Sequence, residues 1–189
     1  NLLLSKDLSI FYGDRCVANG ISLTLNRGDR IALVGRNGCG KSSLLKLLIG
    51  QPIAHTGTLE IGSRLTVSYV PQDMSFLSGS ADDFAAESEI DITLFKTILR
   101  KLDFKRTQFT KDMSEFSMGQ KKKVLLARSL CQRANLYIWD EPLNYIDVIS
   151  RLQIETLILE YKPTMLFVEH DEAFVNDIAT KVCRISLNQ

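Results

Sequence analysis

The stretch GRNGCGKSS, residues 35 to 43, places three glycines and a lysine between the apolar runs IALV and LLKLLIG. A turn needs one glycine or two, so this cluster requires another explanation. Gly35, Gly40, Lys41 and Ser42 fit the pattern G-x-x-x-x-G-K-[ST], located after a buried strand and at the start of a helix. Glycines let the backbone wrap closely around phosphate oxygens, and the helix N-terminus adds the positive end of its dipole. The stretch therefore predicts a phosphate-binding loop.

Within this loop, Lys41 is expected to reach the β- and γ-phosphates of a nucleotide, and the Ser42 hydroxyl is expected to bind Mg²⁺. We expect Asn37, Gly38 and Ser43 to complete the phosphate-binding set. The alternative interpretation is a glycine-rich turn with a surface lysine. The strand before the loop and the helix after it favour phosphate binding.

Two acids, Asp140 and Glu141, close the apolar run LYIW. A phosphate-binding loop needs an acid at the tip of a neighbouring strand to hold the metal ion. Asp140 is expected to hold Mg²⁺ through water, and Glu141 is expected to polarise an attacking water molecule. The alternative is that the two carboxylates cap the next helix or lie in solvent.

Apolar strands alternate with amphipathic helices along the chain, which indicates an α/β domain with a mostly parallel sheet. The runs RIALV, NLYIW and TMLFV are typical of strands buried on both faces. ISLTL alternates like a half-buried antiparallel strand, and GTLEIG, LTVSYV and VCRISL are shorter strand signals. In VCRISL, we expect Cys183, Ile185 and Leu187 to share one side.

Helical spacing appears in three places. Leu44, Leu47 and Leu48 predict a helix after the loop that stops at Gly50. A helical insert is predicted at about residues 73–116, and a further helix at KKKVLLARSLCQRA. The predicted buried faces comprise Leu94, Phe95, Ile98, Leu99 and Leu102 in the insert, and Val124, Ala127, Leu130, Cys131 and Ala134 in the later helix.

The composition of the 189 residues is that of an ordinary globular protein, with 45% hydrophobic residues and a formal net charge of +1. This charge predicts no general attraction to nucleic acid or membrane. Cys16, Cys39, Cys131 and Cys183 form no CxxC pair, which argues against a zinc site or a disulfide framework and favours a reducing cytoplasm. No apolar run reaches the ~18 residues of a membrane-spanning helix. We expect a soluble, cytoplasmic chain.

Three further motifs give the chain a resemblance to ABC-type ATPase domains. FSMGQKKKVLLARSL is similar to the ABC signature LSGGQ with its basic helix, and it precedes the strand LYIWD as in that family. DEPLNYID is similar to the DEPTNHLD of the ABC-F subfamily, whose members act on ribosomes, and EHDEAF stands at the place of their SHDRxF. The resemblance implies a P-loop core, an antiparallel β subdomain at the N-terminal side and a small helical insert.

The resemblance implies a domain plan and a set of partners. It implies a single domain over residues 1–189, with a core at 1–72 and 117–189 and a helical subdomain at about 73–116. The chain begins with Asn1, and we expect it to be a fragment of a longer protein with two ATPase domains. The implied partners are a second ABC domain, paired head to tail, and the ribosome, with no membrane insertion. The implied cofactors are ATP and Mg²⁺.

The resemblance also implies roles for individual residues. Tyr12 would stack on adenine, with Phe11 as the alternative and a core position as the competing interpretation for either. Gln72 would contact Mg²⁺ and the attacking water, and otherwise is a polar strand end. His170 would contact the γ-phosphate, although a lone histidine is usually structural. The residues expected to meet the facing domain or its ATP are Ser117, Gly119, Gln120 and Asp147.

The chain departs from the family pattern in its signature and in its loop. Phe116 and Met118 replace the usual Leu and Gly, which puts the packing of the signature on nucleotide in question. Cys39 replaces a small residue in the loop, where a thiol near a helix N-terminus is expected to be reactive. Leu143 and Tyr145 depart from the ABC-F consensus. Together with GQKKKVLLARSLC and YIWDEPLNYIDV, they look most like the second ATPase domain of Lsa-type antibiotic-resistance factors.

Three functional hypotheses follow. The first is the ATPase domain of an ABC-F factor, whose closed form binds the ribosome and whose hydrolysis permits release. The second is the ATPase subunit of a membrane transporter, and the third is a module that senses ATP without hydrolysing it. The basic run Lys121, Lys122 and Lys123 is interpreted as a solvated face of the signature helix, with contact to rRNA as the alternative.

Overall fold

The computed structural model describes residues 1–186 and shows a mixed α/β architecture. Leu187, predicted to share a side with Cys183, lies outside the described residues. The strands are β1 (Leu3–Tyr12), β2 (Arg15–Leu25), β3 (Arg30–Val34), β4 (Ala54–Ile61), β5 (Val67–Val70), β6 (Leu136–Asp140), β7 (Met165–Val168) and β8 (Lys181–Arg184). The helices are α1 (Lys41–Leu48), α2 (Ala81–Glu87), α3 (Ile92–Lys101), α4 (Met118–Cys131), α5 (Val148–Tyr161) and α6 (Glu172–Ile178).

The strands form two sheets. A three-stranded sheet has the order β2-β1-β4 and is antiparallel, and a five-stranded sheet has the order β5-β6-β7-β3-β8. The pairs β3/β7, β3/β8 and β6/β7 are parallel. The predicted α/β class, with a mostly parallel sheet and an antiparallel N-terminal part, is confirmed.

The central strands are buried because their sequences are apolar on both faces. In β7, all four residues are buried, and β3 and β6 each contain three consecutive buried residues. Parallel strands joined by helices are covered on both sides, so they carry continuous apolar runs rather than alternating ones. The predictions from RIALV, NLYIW and TMLFV are therefore confirmed.

The chain divides into two compact units. The sheet unit comprises Asn1–Tyr69, Ala134–Asp140 and the chain from Lys162 onward. The helical unit comprises Val70–Arg133 and Glu141–Tyr161.

In the sheet unit, α1 begins directly after the glycine cluster. Leu44, Leu47 and Leu48 are buried as predicted, and they pack in the same core as Ile31 of β3. Helix α1 ends at Leu48, and Gly50 follows with a φ of +94°. A left-handed glycine after the last turn is the usual end of a helix, so the predicted stop is confirmed.

In the helical unit, α3 and α4 both contribute buried apolar side chains to the core. Phe95, Ile98 and Leu99 of α3 are buried, whereas Leu94 is 40% exposed and does not belong to the predicted face. Phe116 is also buried, with its ring centroid 5.4 Å from that of Phe104. Phe116, which stands where the signature usually has Leu, therefore packs its ring inside the unit against Phe104.

Among residues 1–186, no helix combines the length and the apolar character that crossing a membrane requires.

Candidate functional site

The glycine cluster forms a tight loop between β3 and α1. Gly40 occupies the N-cap position of α1 with a φ of +87°. A Cβ atom there would lie 2.5 Å from the Val17 carbonyl oxygen and 2.6 Å from the Ala18 Cβ. A Cβ at Gly35 would collide with the carbonyl oxygen of Ile185. Only glycine therefore fits at either position, which is what a loop whose amides surround a phosphate requires.

Lys41 is directed at the backbone of this loop. Its Nζ donates hydrogen bonds to the carbonyl oxygens of Gly35, at 2.6 Å, and Arg36, at 2.9 Å. The Cys39 Sγ lies 3.7 Å from the same nitrogen. Lys41 is 6% exposed, so the interpretation as a surface lysine is wrong. The ammonium group is placed where it could exchange backbone carbonyls for phosphate oxygens.

The burial of Cys39 bears on its expected reactivity. The residue is 3% exposed, and its sulfur accepts a hydrogen bond from Lys41. A reagent reaches such a thiol only if the loop opens, so the reactivity expected from the helix N-terminus remains a prediction for an opened loop.

The ends of three neighbouring strands bring other predicted residues to the same edge. In the register of the sheet, Asp140 on β6 is level with Val168 on β7, which is level with Leu33 on β3. His170 and Gly35 each follow two residues later. The loop, Asp140 and His170 therefore all lie at the carboxyl edge of the parallel strands, where open α/β sheets bind ligands.

Asp140 is 1% exposed at this edge. It acts electrostatically on Tyr69, because burial and the negative charge of Asp140 together raise the pKa of Tyr69 to about 12. The phenol therefore stays protonated beside the carboxylate over the whole ordinary pH range. Burial excludes the interpretation in which Asp140 lies in solvent.

His170 is exposed, and it follows β7 directly after the buried Glu169. The backbone N–H of His170 donates a hydrogen bond to Glu169 Oε1 at 3.0 Å. The imidazole is therefore presented at the edge of the sheet rather than packed in the core, as a phosphate contact would require.

Tyr12 ends β1 and pairs with Arg15 across a turn that contains Gly13. Tyr12 is 48% exposed, so the interpretation as a core residue is wrong for this ring. Phe11, the alternative, is partly buried in the same strand. An exposed ring remains available for stacking on a base.

In the helical unit, the signature segment (Phe116–Gln120) forms the start of α4. The Ser117 Oγ accepts a hydrogen bond from the Gln120 N–H at 3.2 Å, and the Gln120 Oε1 accepts one from the Ser117 N–H at 2.9 Å. This reciprocal cap fixes both side chains at the helix N-terminus. The Ser117 hydroxyl proton and the Gln120 NH₂ group remain as donors for an outside acceptor. Met118 is exposed beside them.

Glu141 has an unusual backbone and a side-chain partner. Its φ is +51°, which is uncommon for a residue with a side chain and is found preferentially at functional sites. The Asn144 Nδ2 donates a hydrogen bond to Glu141 Oε2 at 2.6 Å, and the Asn144 N–H donates one to the Glu141 carbonyl at 3.3 Å. The carboxylate is thus oriented by a side chain three residues later.

Gln72 follows β5 in the helical unit and is exposed. Asp147 lies in the same unit, where its Oδ2 forms an ion pair with Lys123 Nζ at 3.0 Å. Lys122 is 1% exposed and Lys123 is 9% exposed. The prediction that the basic run is a solvated face is therefore wrong for Lys122 and Lys123, and the Asp147 carboxylate accounts for the burial of Lys123.

We expect Asp147 to stabilise the fold in a way that acid removes. Burial favours a higher pKa, but hydrogen bonds from Ser150 and Lys123 outweigh it and lower the pKa from 3.8 to about 2. A lowered pKa means that the stabilisation is present above the unfolded value and disappears as the pH falls from about 4 towards about 2. Urea unfolding of the wild type and of Asp147→Asn at a series of acidic pH values tests this. The difference in free energy of unfolding should shrink with falling pH, and a constant difference would contradict the expectation.

The residues of the sheet unit fit a magnesium ion that is bound partly by the protein and partly by phosphate. Within residues 1–186, no group of three or more His, Cys, Asp or Glu side chains is arranged to hold a metal ion by itself. Mg²⁺ generally takes one or two protein oxygens and completes its shell with phosphate oxygens and water. The buried Asp140 and the Ser42 hydroxyl in the first turn of α1 supply donors of this type, next to a loop that only glycine can form.

Comparison with known proteins shows the family. The family model described as ABC transporter matches residues 18–144, more than half of the chain. The chain belongs to the ABC transporter family. It is an ABC ATPase domain, and the family hydrolyses ATP.

This ABC domain is similar to two curated relatives and to one solved structure. Bacillus subtilis YdiF is 36% identical over 193 residues, covering 98% of this chain and 30% of YdiF. The Arabidopsis thaliana protein ABC transporter F family member 2 is 30% identical, covering 95% of this chain and 27% of that protein. The chain thus spans about a third of the length of the curated relatives it matches. A solved ATP-binding subunit of an ABC transporter has a TM-score of 0.83 at 22% identity, over 99% of this chain and 89% of that one, which shows the shared fold.

The sequence analysis did not predict the surroundings of three polar residues of this ABC domain. Glu169 is buried beside His170, Asn144 bonds Glu141, and Lys123 pairs with Asp147. Asn144 could have been found, because an amide three residues after an acid can bond back to it in a turn. Nothing local to Lys123 indicates a partner 24 residues away in the sequence.

Proposed function

We propose that this domain binds ATP with Mg²⁺ in the loop of residues 35–43 and hydrolyses it while paired head to tail with a second ABC domain. The observation that carries the proposal is the loop itself, with left-handed Gly40 packed on Val17 and the Lys41 ammonium held by loop carbonyls. The family match supports the same function.

The residues of the sheet unit are proposed to bind the nucleotide. The backbone of the loop, with Gly35, Gly38 and Gly40, surrounds the phosphates, and Lys41 neutralises their charge. Ser42 and Asp140 would hold Mg²⁺, which would neutralise phosphate charge when bound, and Gln72 of the helical unit is proposed to contact it. The further proposed contacts are those of Asn37 and Ser43 with phosphate, of His170 with the γ-phosphate and of Tyr12 with adenine.

Hydrolysis is proposed to depend on Glu141. Its carboxylate, oriented by Asn144, accepts a proton from the attacking water, and the developing charge is matched by Lys41 and His170. Ser117, Gly119 and Gln120 are proposed to contact the ATP held by the facing domain. Each site is then complete only in the pair, so closing the pair and hydrolysing ATP are coupled.

We place the whole protein in the ABC-F subfamily, acting in the cytoplasm with the ribosome. The motif DEPLNYID and the similarity to an F-family member of Arabidopsis thaliana support the subfamily. The length of the relatives leaves room for a second ABC domain in the same chain. A role in antibiotic resistance of the Lsa type rests on the sequences GQKKKVLLARSLC and YIWDEPLNYIDV. The transporter subunit is the second candidate, since the family model that matches residues 18–144 is described as ABC transporter.

We expect ATP hydrolysis by the isolated domain to depend on its concentration. Because half of each proposed site comes from a facing domain, turnover per domain should rise with protein concentration, and the apparent ATP affinity should rise with it as pairs form. Phosphate release and binding of a fluorescent ATP analogue, measured over a dilution series, test this. Vigorous turnover that is independent of concentration would show that one domain suffices, and failure to bind ATP at any concentration would overturn the proposed function.

A further inference from the structure

Residues 143–147, which we call the D-loop, touch the signature helix α4 at two separate points within the helical unit. At the first point, the backbone of Gly119 lies so close to the Tyr145 carbonyl oxygen that a Cβ at Gly119 would be 2.6 Å from it. At the second, Lys123 Nζ lies 3.0 Å from Asp147 Oδ2. Gly119 and Lys123 are four residues apart and therefore lie on the same face of the helix, about 6 Å apart along its axis.

Two contacts on one helix face fix an orientation, whereas a single contact would leave a hinge. The close approach at Gly119 determines how near the D-loop can come, and the ion pair determines its direction along α4. Tyr145 has a φ of +66°, so the chain turns sharply at the first of the two contacts. This conformation is costly for a residue with a side chain and persists only where its surroundings hold it.

The Asp147 carboxylate is also held from the other side. Ser150 donates its N–H to Asp147 Oδ1 at 2.8 Å, and its hydroxyl lies 2.9 Å from Asp147 Oδ2 and 3.1 Å from the Leu102 carbonyl oxygen. Ser150 is fully buried in the first turn of α5. The carboxylate therefore joins α4 and α5 through Lys123 and Ser150, and the single hydroxyl proton of Ser150 serves either Asp147 or the Leu102 carbonyl at one time.

The exposures of the two charged groups differ, which distinguishes this pair from a surface ion pair. The Lys123 side chain is 11% exposed, whereas that of Asp147 is 50% exposed. A surface pair contributes little and is easily broken by solvent. A lysine whose charge is largely withdrawn from water keeps its partner, because separating the two would leave the ammonium poorly solvated.

We propose that Lys123 is a positioning residue: by holding Asp147 it fixes the D-loop against α4, so that the D-loop and the signature segment meet a facing ABC domain as one rigid surface. This inference rests on the proposed function, because it assigns Lys123 to the paired site. Lys123 touches neither nucleotide nor water in this role. It acts through Asp147 and through the position of Tyr145 against Gly119.

The test compares Lys123→Met, Lys123→Arg and Lys121→Met in the full-length protein. Methionine keeps the apolar stem in the unit and removes the charge, so the fold should survive, and arginine restores a cation that can reach Asp147. Lys121 belongs to the same basic run but is only partly buried, so Lys121→Met controls for the loss of one positive charge. The readouts are kcat, ATP affinity, thermal stability and hydrogen exchange of residues 143–150.

In Lys123→Met, kcat should fall by about tenfold or more, because misplaced groups across a paired site lose the reactive geometry. ATP affinity should change much less than kcat, since the loop of residues 35–43 that holds the phosphates is untouched, and such a split separates transition-state from ground-state effects. Lys123→Arg should restore most of kcat, and Lys121→Met should resemble the wild type. An unchanged kcat, or a loss that arginine does not restore, would overturn the inference.

Hydrogen exchange separates this inference from the proposed function. If the wild type releases no phosphate from ATP above a protein-free blank, the proposed function fails, but the placement of the D-loop is still measured. Faster exchange at residues 143–150 in Lys123→Met, absent in Lys121→Met, would support the positioning role. Unchanged exchange at these amides would overturn it whatever the ATPase result.

Discussion

Glu141→Gln is expected to lower ATP turnover by a factor on the order of 10² to 10⁴, the range for loss of a positioned general base. Glutamine has nearly the shape of glutamate but cannot accept the proton of an attacking water. The left-handed backbone at Glu141 and the 2.6 Å hydrogen bond from Asn144 hold the carboxylate in one orientation. Phosphate release under saturating ATP measures the effect.

ATP binding by Glu141→Gln should persist, because none of the loop residues is altered. Since hydrolysis releases the closed pair in the proposed cycle, the variant should also remain paired for longer in the presence of ATP. Glu160→Gln is a matched control, with the same chemical change at an exposed position on α5. Equal turnover in Glu141→Gln and Glu160→Gln would assign the base to another residue.

The parts of the fold that sequence predicted well are those with a repeating local pattern. Continuous apolar runs gave β3, β6 and β7, and leucines at helical spacing gave α1. These patterns arise because an element buried on a given set of faces needs apolar residues at those positions and nowhere else. The loop of residues 35–43 could also be predicted, since its chemistry depends on residue types at fixed spacing.

Strand β1 shows where local pattern fails. Its sequence LLSKDLSIFY shows no continuous alternation of apolar and polar residues. In the structure, Asp7 has a φ of +49° and the pairing register shifts between Ser5 and Leu8. An irregularity of this kind inserts residues out of step and reverses which side chains face the core. The apolar positions before and after Asp7 therefore fall out of phase.

The basic run shows a second kind of failure, because its outcome depends on a distant residue. Three consecutive lysines predict a solvated face, since an unpaired charge is costly to bury. Asp147, far along the chain, provides the charge that allows Lys123 to be buried. The same holds for Gly119, whose necessity becomes visible only when the Tyr145 carbonyl is seen beside it.

Gly40→Ala is expected to destabilise the domain by about 2–5 kcal/mol. The left-handed backbone costs a residue with a Cβ about 1–2 kcal/mol, and forcing extra atoms into a packed site costs about 1–3 kcal/mol more. Here the new Cβ would lie 2.5 Å from the Val17 carbonyl oxygen and 2.6 Å from the Ala18 Cβ, both in β2. Urea unfolding measures the loss, and binding of a fluorescent ATP analogue measures what the displaced loop loses in affinity.

Gly38→Ala separates the two contributions within the same loop. Gly38 also has a positive φ, at +80°, but nothing lies within 4 Å of the position that its Cβ would take. It should therefore lose only the backbone cost of about 1–2 kcal/mol. If Gly40→Ala were no worse than Gly38→Ala, the approach of the loop to β2 would not constrain the nucleotide site. A larger loss at Gly40, together with weaker ATP binding, would mean that β2 fixes the shape of the loop that receives the phosphates.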